Sequence, residues 1–152
     1  MKNILLILAV VLLTAGGFKA DMVLPPDAAA VIENPDDYIL YVTEQAGIIE
    51  ASLEHDVLTQ TDMNMKSQQL CELWDEALDF LLEELAVALP EEEFAELQAE
   101  QQLWLAEKEK LVEEAGKPFE GGSLYALIAN SEAAKLTEER VHELYGCLKE
   151  TD

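Results

Sequence analysis

Basic residues are scarce in this chain. Its 152 residues include 9 Lys and Arg against 32 Asp and Glu, a formal net charge of −23. Nucleic acid is excluded as a partner, because binding it requires Lys and Arg at the phosphates. Residues 21–107 contain 22 acids and a single base, Lys66, whereas residues 108–152 contain ten acids and six bases. The acidic stretch favours a cationic partner; the alternative is that these acids only keep a helical protein soluble.

Patterns typical of catalytic and metal sites are also missing. The two histidines, His55 and His142, lack metal-ligand spacing with each other or with a cysteine, and H-E-x-x-H is absent. No serine lies in a G-x-S-x-G pattern, and carboxylate pairs arise by chance in so acidic a chain. The sequence therefore predicts a binding protein rather than an enzyme, with no metal and no cofactor.

The chain has one long hydrophobic run, at its N-terminus. Residues 1–20 combine the basic Lys2, an apolar run from Ile4 to Leu13 and small residues up to Gly17, which is typical of a secretory signal peptide. The run is short of the ~20 residues that span a membrane, although an uncleaved signal anchor is the alternative. Cleavage leaves 7 basic against 32 acidic residues, a net charge of −25. We therefore expect a periplasmic or secreted protein that meets a membrane only through its signal peptide.

Alternation of apolar and polar residues, which marks a strand, is absent over any useful length. Apolar residues recur instead every three or four positions, which predicts helices. An N-terminal helix is expected to start with Asn34 as cap and Pro35 in its first turn. Helix A follows from a cap at Thr61 or Asp62 and stops at Pro90. The apolar positions that define helix A are Leu70, Leu73, Trp74, Ala77, Leu78, Leu81, Leu85 and Leu89.

After Pro90, helix B is expected to run to Gly116 and to end there in a left-handed turn. Ser123 is predicted to cap helix C, and Thr137 to cap a separate helix D. Residues expected to be buried in helix B are Phe94, Leu97, Gln101, Trp104, Leu105 and Leu111, with Val112 buried in part. The prediction is an all-α fold: an antiparallel bundle of three to four core helices (residues 58–150) with an extra N-terminal helix in a helical extension (residues 21–57).

Several short elements follow one another in a fixed order in the second half of the chain. They are Gln101 with Trp104, then Gly121-Gly122-Ser123, then Asn130-Ser131, then Leu136-Thr137 with Arg140. In this order they resemble the LprI-like family of small secreted lysozyme inhibitors, over about residues 58–148. The resemblance implies a secreted domain that binds a lysozyme. The alternative is a periplasmic interaction or envelope-stress module that binds another cationic protein or peptide.

The resemblance marks these positions without giving their roles. Gln101 and Trp104 are expected to be structural, as a buried hydrogen-bonding amide and a core indole, although a recognition patch is the alternative. Arg140 is expected to pair with a carboxylate of helix B or C, or to cap carbonyls. The loop Gly121-Gly122-Ser123 has the stronger functional claim, because flexible polar loops between rigid helices often present contacts; the alternative is a plain turn.

The two cysteines, Cys71 and Cys147, invite one disulfide in an oxidising compartment. The pairing requires a break between helices C and D at Thr137, because one continuous helix would place the two cysteines at opposite ends of the bundle. The alternative is that both are free or pair between chains. Further cysteines implied by the resemblance are replaced by Val112 and Glu132. We therefore expect packing alone to tie helix B to helix C.

Overall fold

The structure is a computed structural model that describes residues 34–151. The predicted signal peptide, residues 1–20, lies outside the described residues, as do residues 21–33. The elements in order are α1 (Pro35–His55), α2 (Gln60–Ala88), α3 (Glu91–Gly116), a 3₁₀ turn (Lys117–Phe119) and α4 (Tyr125–Thr151). Residues 34–151 contain no strand. The predicted all-α class is confirmed.

Helix α1 starts as its sequence predicts and belongs to the main core. The side chain of Asn34 accepts hydrogen bonds from the backbone N–H groups of Asp36 (2.8 Å) and Asp37 (3.3 Å). These bonds satisfy donors that have no partner inside the helix. The ring of Tyr38 packs against Phe80 of α2, with centroids 4.2 Å apart. Helix α1 therefore stabilises the bundle, and its buried residues are Tyr38, Ile39, Val42 and Ala46.

Helix α2 lies at the centre of the bundle. It starts with a capping box in which Thr59, rather than the predicted Thr61 or Asp62, is the cap. The Asp62 N–H donates to Thr59 Oγ1 (3.2 Å), while the Thr59 N–H donates to Asp62 Oδ2 (3.0 Å). The helix ends at Ala88, next to the predicted stop at Pro90. Its buried residues are Ser67, Leu70, Trp74, Ala77, Leu78, Leu81 and Leu85.

Helix α3 is the least buried of the four helices. Only Gln101 and Gly116 are buried, and Leu105, which we expected in the core, is 42% exposed. The left-handed turn expected at Gly116 is also wrong, since this residue has φ −72°. Glycine allows close packing there, because a Cβ would lie 2.8 Å from Cε2 of Tyr125 and the ring would have to move. The first turn of α4 therefore packs directly on the last turn of α3.

Helix α4 is one continuous helix, so the predicted break at Thr137 is wrong. The buried Thr137 hydroxyl donates to the carbonyl of Ala133 (2.8 Å), and Asp75 Oδ1 lies 3.2 Å away. A threonine hydroxyl bonded to the preceding turn fits inside a helix without capping a new one. The predicted helices C and D are the two halves of α4.

The disulfide between Cys71 and Cys147 is absent, and both thiols are free. Helices α2 and α4 run parallel, since Asn64 contacts Ser123 and Asp75 contacts Thr137. Cys71 lies one turn before Asp75, whereas Cys147 lies ten residues beyond Thr137. At 1.5 Å per residue the two cysteines are about 20 Å apart along the bundle axis. The continuous α4 therefore rules out the predicted pairing within one chain.

Candidate functional site

Arg140 joins α4 to α3. Its guanidinium donates from Nε to Gln101 Oε1 (3.0 Å) and from Nη1 to Glu100 (2.8 Å) and Glu143 (3.0 Å). It also lies over the Trp104 ring, 6.0 Å from the centroid. We call these five residues the arginine cluster. Charge-assisted bonds of this kind are stronger than neutral ones, so α3 is tied to α4 by more than the packing expected from the sequence.

The centre of the arginine cluster is largely closed to other molecules, although the side chains of Glu100 and Glu143 are exposed. Arg140 and Gln101 are each only 6% exposed, and Trp104 is half-buried. Arg140 Nη2 is buried without a hydrogen-bond partner among the described residues. A buried, partly satisfied guanidinium is costly to disturb. The geometry therefore favours a structural role for Gln101, Trp104 and Arg140.

A second polar tie joins α2, α3 and α4 next to this cluster. Lys108 Nζ on α3 donates to Asp75 Oδ1 on α2 (2.9 Å), and the same oxygen lies 3.2 Å from Thr137 Oγ1 on α4. The ammonium also lies 5.5 Å from the centroid of the Trp104 ring. The sequence analysis did not identify Asp75 or Lys108. The available signal was that Lys108 is the first base after residues 67–107, which contain none.

Cys71 borders this tie but is not a reactive thiol. Its Sγ lies 3.6 Å from Asp75 Oδ2. Burial, aided by the negative charge of Asp75, raises the Cys71 pKa to about 11. The thiol is therefore protonated at neutral pH, and the thiolate is the form that attacks or binds a metal. Among residues 34–151, no group of three or more His, Cys, Asp or Glu residues is placed to hold a metal ion.

The glycine loop, residues 120–124, joins the 3₁₀ turn to α4 and is exposed along its length. Gly121 has φ +75°, a left-handed conformation that favours glycine. The Gly122 N–H donates to the carbonyl of Phe119 (2.9 Å), and Asn64 Nδ2 on α2 donates to the carbonyl of Ser123 (3.2 Å). The loop is thus exposed, and one hydrogen bond connects it to the N-terminal part of α2.

Ser123 does not cap α4 as predicted. The carbonyl of Leu124 accepts the N–H of Ile128 (3.1 Å), so α4 starts at Tyr125, after Leu124. The carbonyl of Ser123 holds the loop on α2 instead. The sequence alone does not reveal that the Ser123 carbonyl accepts this hydrogen bond, because the bond depends on where the fold places Asn64.

The motif residues separate into two groups. Gln101, Trp104 and Arg140 meet in the arginine cluster, whereas Gly121, Gly122 and Ser123 lie in the glycine loop. Arg140 is fifteen residues from the start of α4 at Tyr125, which is about 22 Å along the helix. The motif residues therefore do not form one site: one group holds the helices together and the other is exposed.

An open groove between α3 and α4 was not predicted. It has a volume of about 550 Å³. On the α3 side its apolar walls include Leu105, Ala106 and Val112, and on the α4 side Ala133. Glu109 supplies a carboxylate at the same groove. We call this feature the α3–α4 groove. The sequence signal that could have indicated it is the apolar pair Leu105 and Val112, two turns apart.

The match to known families agrees with the motif order. The family described as lysozyme inhibitor LprI matches residues 54–144, more than half of the chain. No curated protein and no solved structure matches it. The matched region runs from the end of α1 into α4 and includes the arginine cluster, the glycine loop and the α3–α4 groove. On this match, the chain belongs to the LprI lysozyme-inhibitor family.

Proposed function

We propose that this protein is a periplasmic or secreted binding protein that inhibits a lysozyme. The family match over residues 54–144 carries the proposal. The N-terminal sequence supports export, because residues 1–20 have the composition of a signal peptide. In the described part of the chain, no helix has both the length and the hydropathy required to cross a bilayer.

The charge distribution supports a cationic partner. Helix α2 and the first two thirds of α3 belong to the stretch with one base, Lys66. Three of the later bases, Lys108, Arg140 and Lys149, are engaged with carboxylates of this same chain. Each of them cancels the charge of one carboxylate, and the many remaining acids leave a large excess of negative charge. The field of this charge speeds association with a cationic enzyme, and added salt weakens it.

The glycine loop is the element we assign to contact with the partner. Arg140 and Gln101 are too buried to meet a second protein without disrupting the bundle. Gly121, Gly122 and Ser123 are exposed, and Asn64 holds the loop in place. An anchored loop loses little conformational freedom on binding, which favours affinity.

The test is inhibition of egg-white lysozyme by the exported protein, measured as clearing of bacterial cell walls. We expect dose-dependent inhibition at low salt that declines as salt is added, because counterions screen exposed charges beyond ~10 Å at 0.1 M. Unchanged lysozyme activity at tens of micromolar protein and low salt would overturn the proposal.

A second candidate rests on the charge alone. An acidic surface does not distinguish lysozyme from other basic proteins, so the same protein is also suited to a periplasmic interaction or envelope-stress role. If the protein retains basic peptides but leaves lysozyme activity unchanged, this second function replaces the first.

A further inference from the structure

The α3–α4 groove exposes apolar side chains at a point where a helix of this bundle would normally bury them. Leu105 is 42% exposed and Val112 is half-buried, although both follow the helical spacing that predicted burial. They are exposed because α3 packs on one side of the bundle and, within residues 34–151, has no further helix beyond it. Together with Ala133 they form the apolar lining of the groove, whose volume is about 550 Å³.

Charge at the groove comes mainly from Glu109. Lys108 also lines the groove, but its ammonium donates to Asp75 at 2.9 Å and its side chain is only 15% exposed. Lys110, the other nearby base, is turned towards Glu114, with 3.8 Å between the charged atoms. Both lysines therefore have carboxylate partners, and Glu109 gives the groove a negative edge.

We propose that the α3–α4 groove receives a lysine or arginine side chain of the inhibited lysozyme, an assignment that rests on the proposed function. These side chains have an apolar stem and a cationic head. The stem packs on Leu105 and Val112 while the head pairs with Glu109. The net charge of −23 opposes a second copy of this chain as the occupant.

The position of the groove extends the proposed contact surface. Val112 lies one turn before Gly116, where α3 ends, and Ala133 lies two turns after Tyr125, where α4 starts. The groove therefore occupies the half of the bundle that carries the glycine loop. In this assignment the loop contacts the partner's backbone and the groove holds one basic side chain.

Helix α3 supplies matched controls for this assignment. Glu107 and Leu103 lie two residues before Glu109 and Leu105, about 200° away around the helix. Both are exposed, Leu103 to 74%. Neither lines the groove. Glu109→Gln and Glu107→Gln remove the same charge from the same helix, and Leu105→Ser and Leu103→Ser remove the same apolar side chain.

The experiment measures inhibition of egg-white lysozyme by the exported protein and these four variants. We expect Glu109→Gln to weaken inhibition about fivefold and Leu105→Ser about tenfold, and each control to weaken it less than about twofold. Thermal unfolding checks that every variant is folded. If Leu105→Ser does not fold, the two Glu→Gln variants decide, because they replace exposed carboxylates.

The outcomes distinguish a failure of the groove assignment from a failure of the proposed function. If the wild-type protein inhibits and each groove variant matches its control, the groove assignment is overturned while the proposed function stands. Equal losses in Glu109→Gln and Glu107→Gln mean that only the long-range field acts, which also overturns the groove. If the wild-type protein does not inhibit, the proposed function fails and the groove assignment fails with it.

Discussion

The α2–α4 pair and helix α3 are stabilised in different ways. Helix α2 contributes seven buried residues and α4 contributes eight, whereas α3 contributes two. The first pair is held by an apolar core. Helix α3 has only the partly buried Phe94, Leu97 and Trp104 against that core, and hydrogen bonds and ion pairs among Arg140, Gln101, Lys108 and Asp75 add to this packing. Hydrogen bonds and ion pairs hold a helix in place without covering its apolar side chains. Helix α3 therefore keeps apolar surface available for a partner.

The largest expected effect tests this contrast directly. Leu81 on α2 is completely buried, whereas Leu97 on α3 is half-buried at the edge of the core. We expect Leu81→Ala to cost about 3 kcal/mol of unfolding free energy, because it leaves a cavity, and Leu97→Ala about 1 kcal/mol. Urea unfolding of both variants provides the measurement. Equal costs would show that α3 is held by burial after all.

An intermediate effect is expected for Arg140→Met. The change removes three charge-assisted hydrogen bonds and leaves the buried Gln101 amide unpaired. We expect a loss of about 2 kcal/mol, moderated because Glu100 and Glu143 are exposed and regain water. Amide hydrogen exchange should accelerate in α3 while α2 and α4 stay protected. Exchange that rises equally in all four helices would contradict this separation.

Arg140→Lys is the matched control for that variant. Lysine keeps the positive charge, but it lacks the planar fork that reaches Gln101, Glu100 and Glu143 together. Its stability should therefore fall between those of the wild-type protein and Arg140→Met. Full recovery by lysine would mean that charge alone holds α3.

The smallest effect concerns Glu50 on α1. Burial raises the pKa of Glu50, and the negative charges of Glu138 on α4 and Glu54 raise it further. A carboxyl with a higher pKa in the folded protein binds more protons when folded, so stability decreases as pH rises through that pKa. Glu50→Gln should therefore stabilise the protein slightly at pH 7, since solvent screens this exposed residue. The gain should vanish below about pH 4.

Thermal unfolding midpoints of Glu50→Gln at pH 7 and pH 3 provide the measurement. The control is Glu44→Gln, which removes the same charge from an exposed position of the same helix. An equal gain in both variants at pH 7 would assign the effect to net charge rather than to Glu138.

Much of the fold follows from local sequence signals. Asn34, Pro90 and the two glycines of the loop mark starts, stops and turns through the conformations they favour, and apolar spacing marks the helices. Signals that depend on a neighbouring helix were misread. Thr137 is a good cap in isolation, but its hydroxyl bonds to Ala133 beside Asp75 and stays inside α4.

The candidate site was predictable only in part, for a related reason. The motif order identified Gln101, Trp104, Arg140 and the glycine loop, but it did not show that they form two separate groups. Leu105 has the spacing of a core residue; its exposure depends on how many helices pack around α3. One sequence specifies periodicity along a helix, whereas the number of neighbours is a property of the whole fold.

The parallel arrangement of α2 and α4 also has a consequence for how this protein matures. With Cys71 shielded and Cys147 about 20 Å away along the axis, oxidation does not lock the monomer into shape. Residues 34–151 therefore hold their fold without an intrachain disulfide, and we expect a reductant to leave the bundle intact.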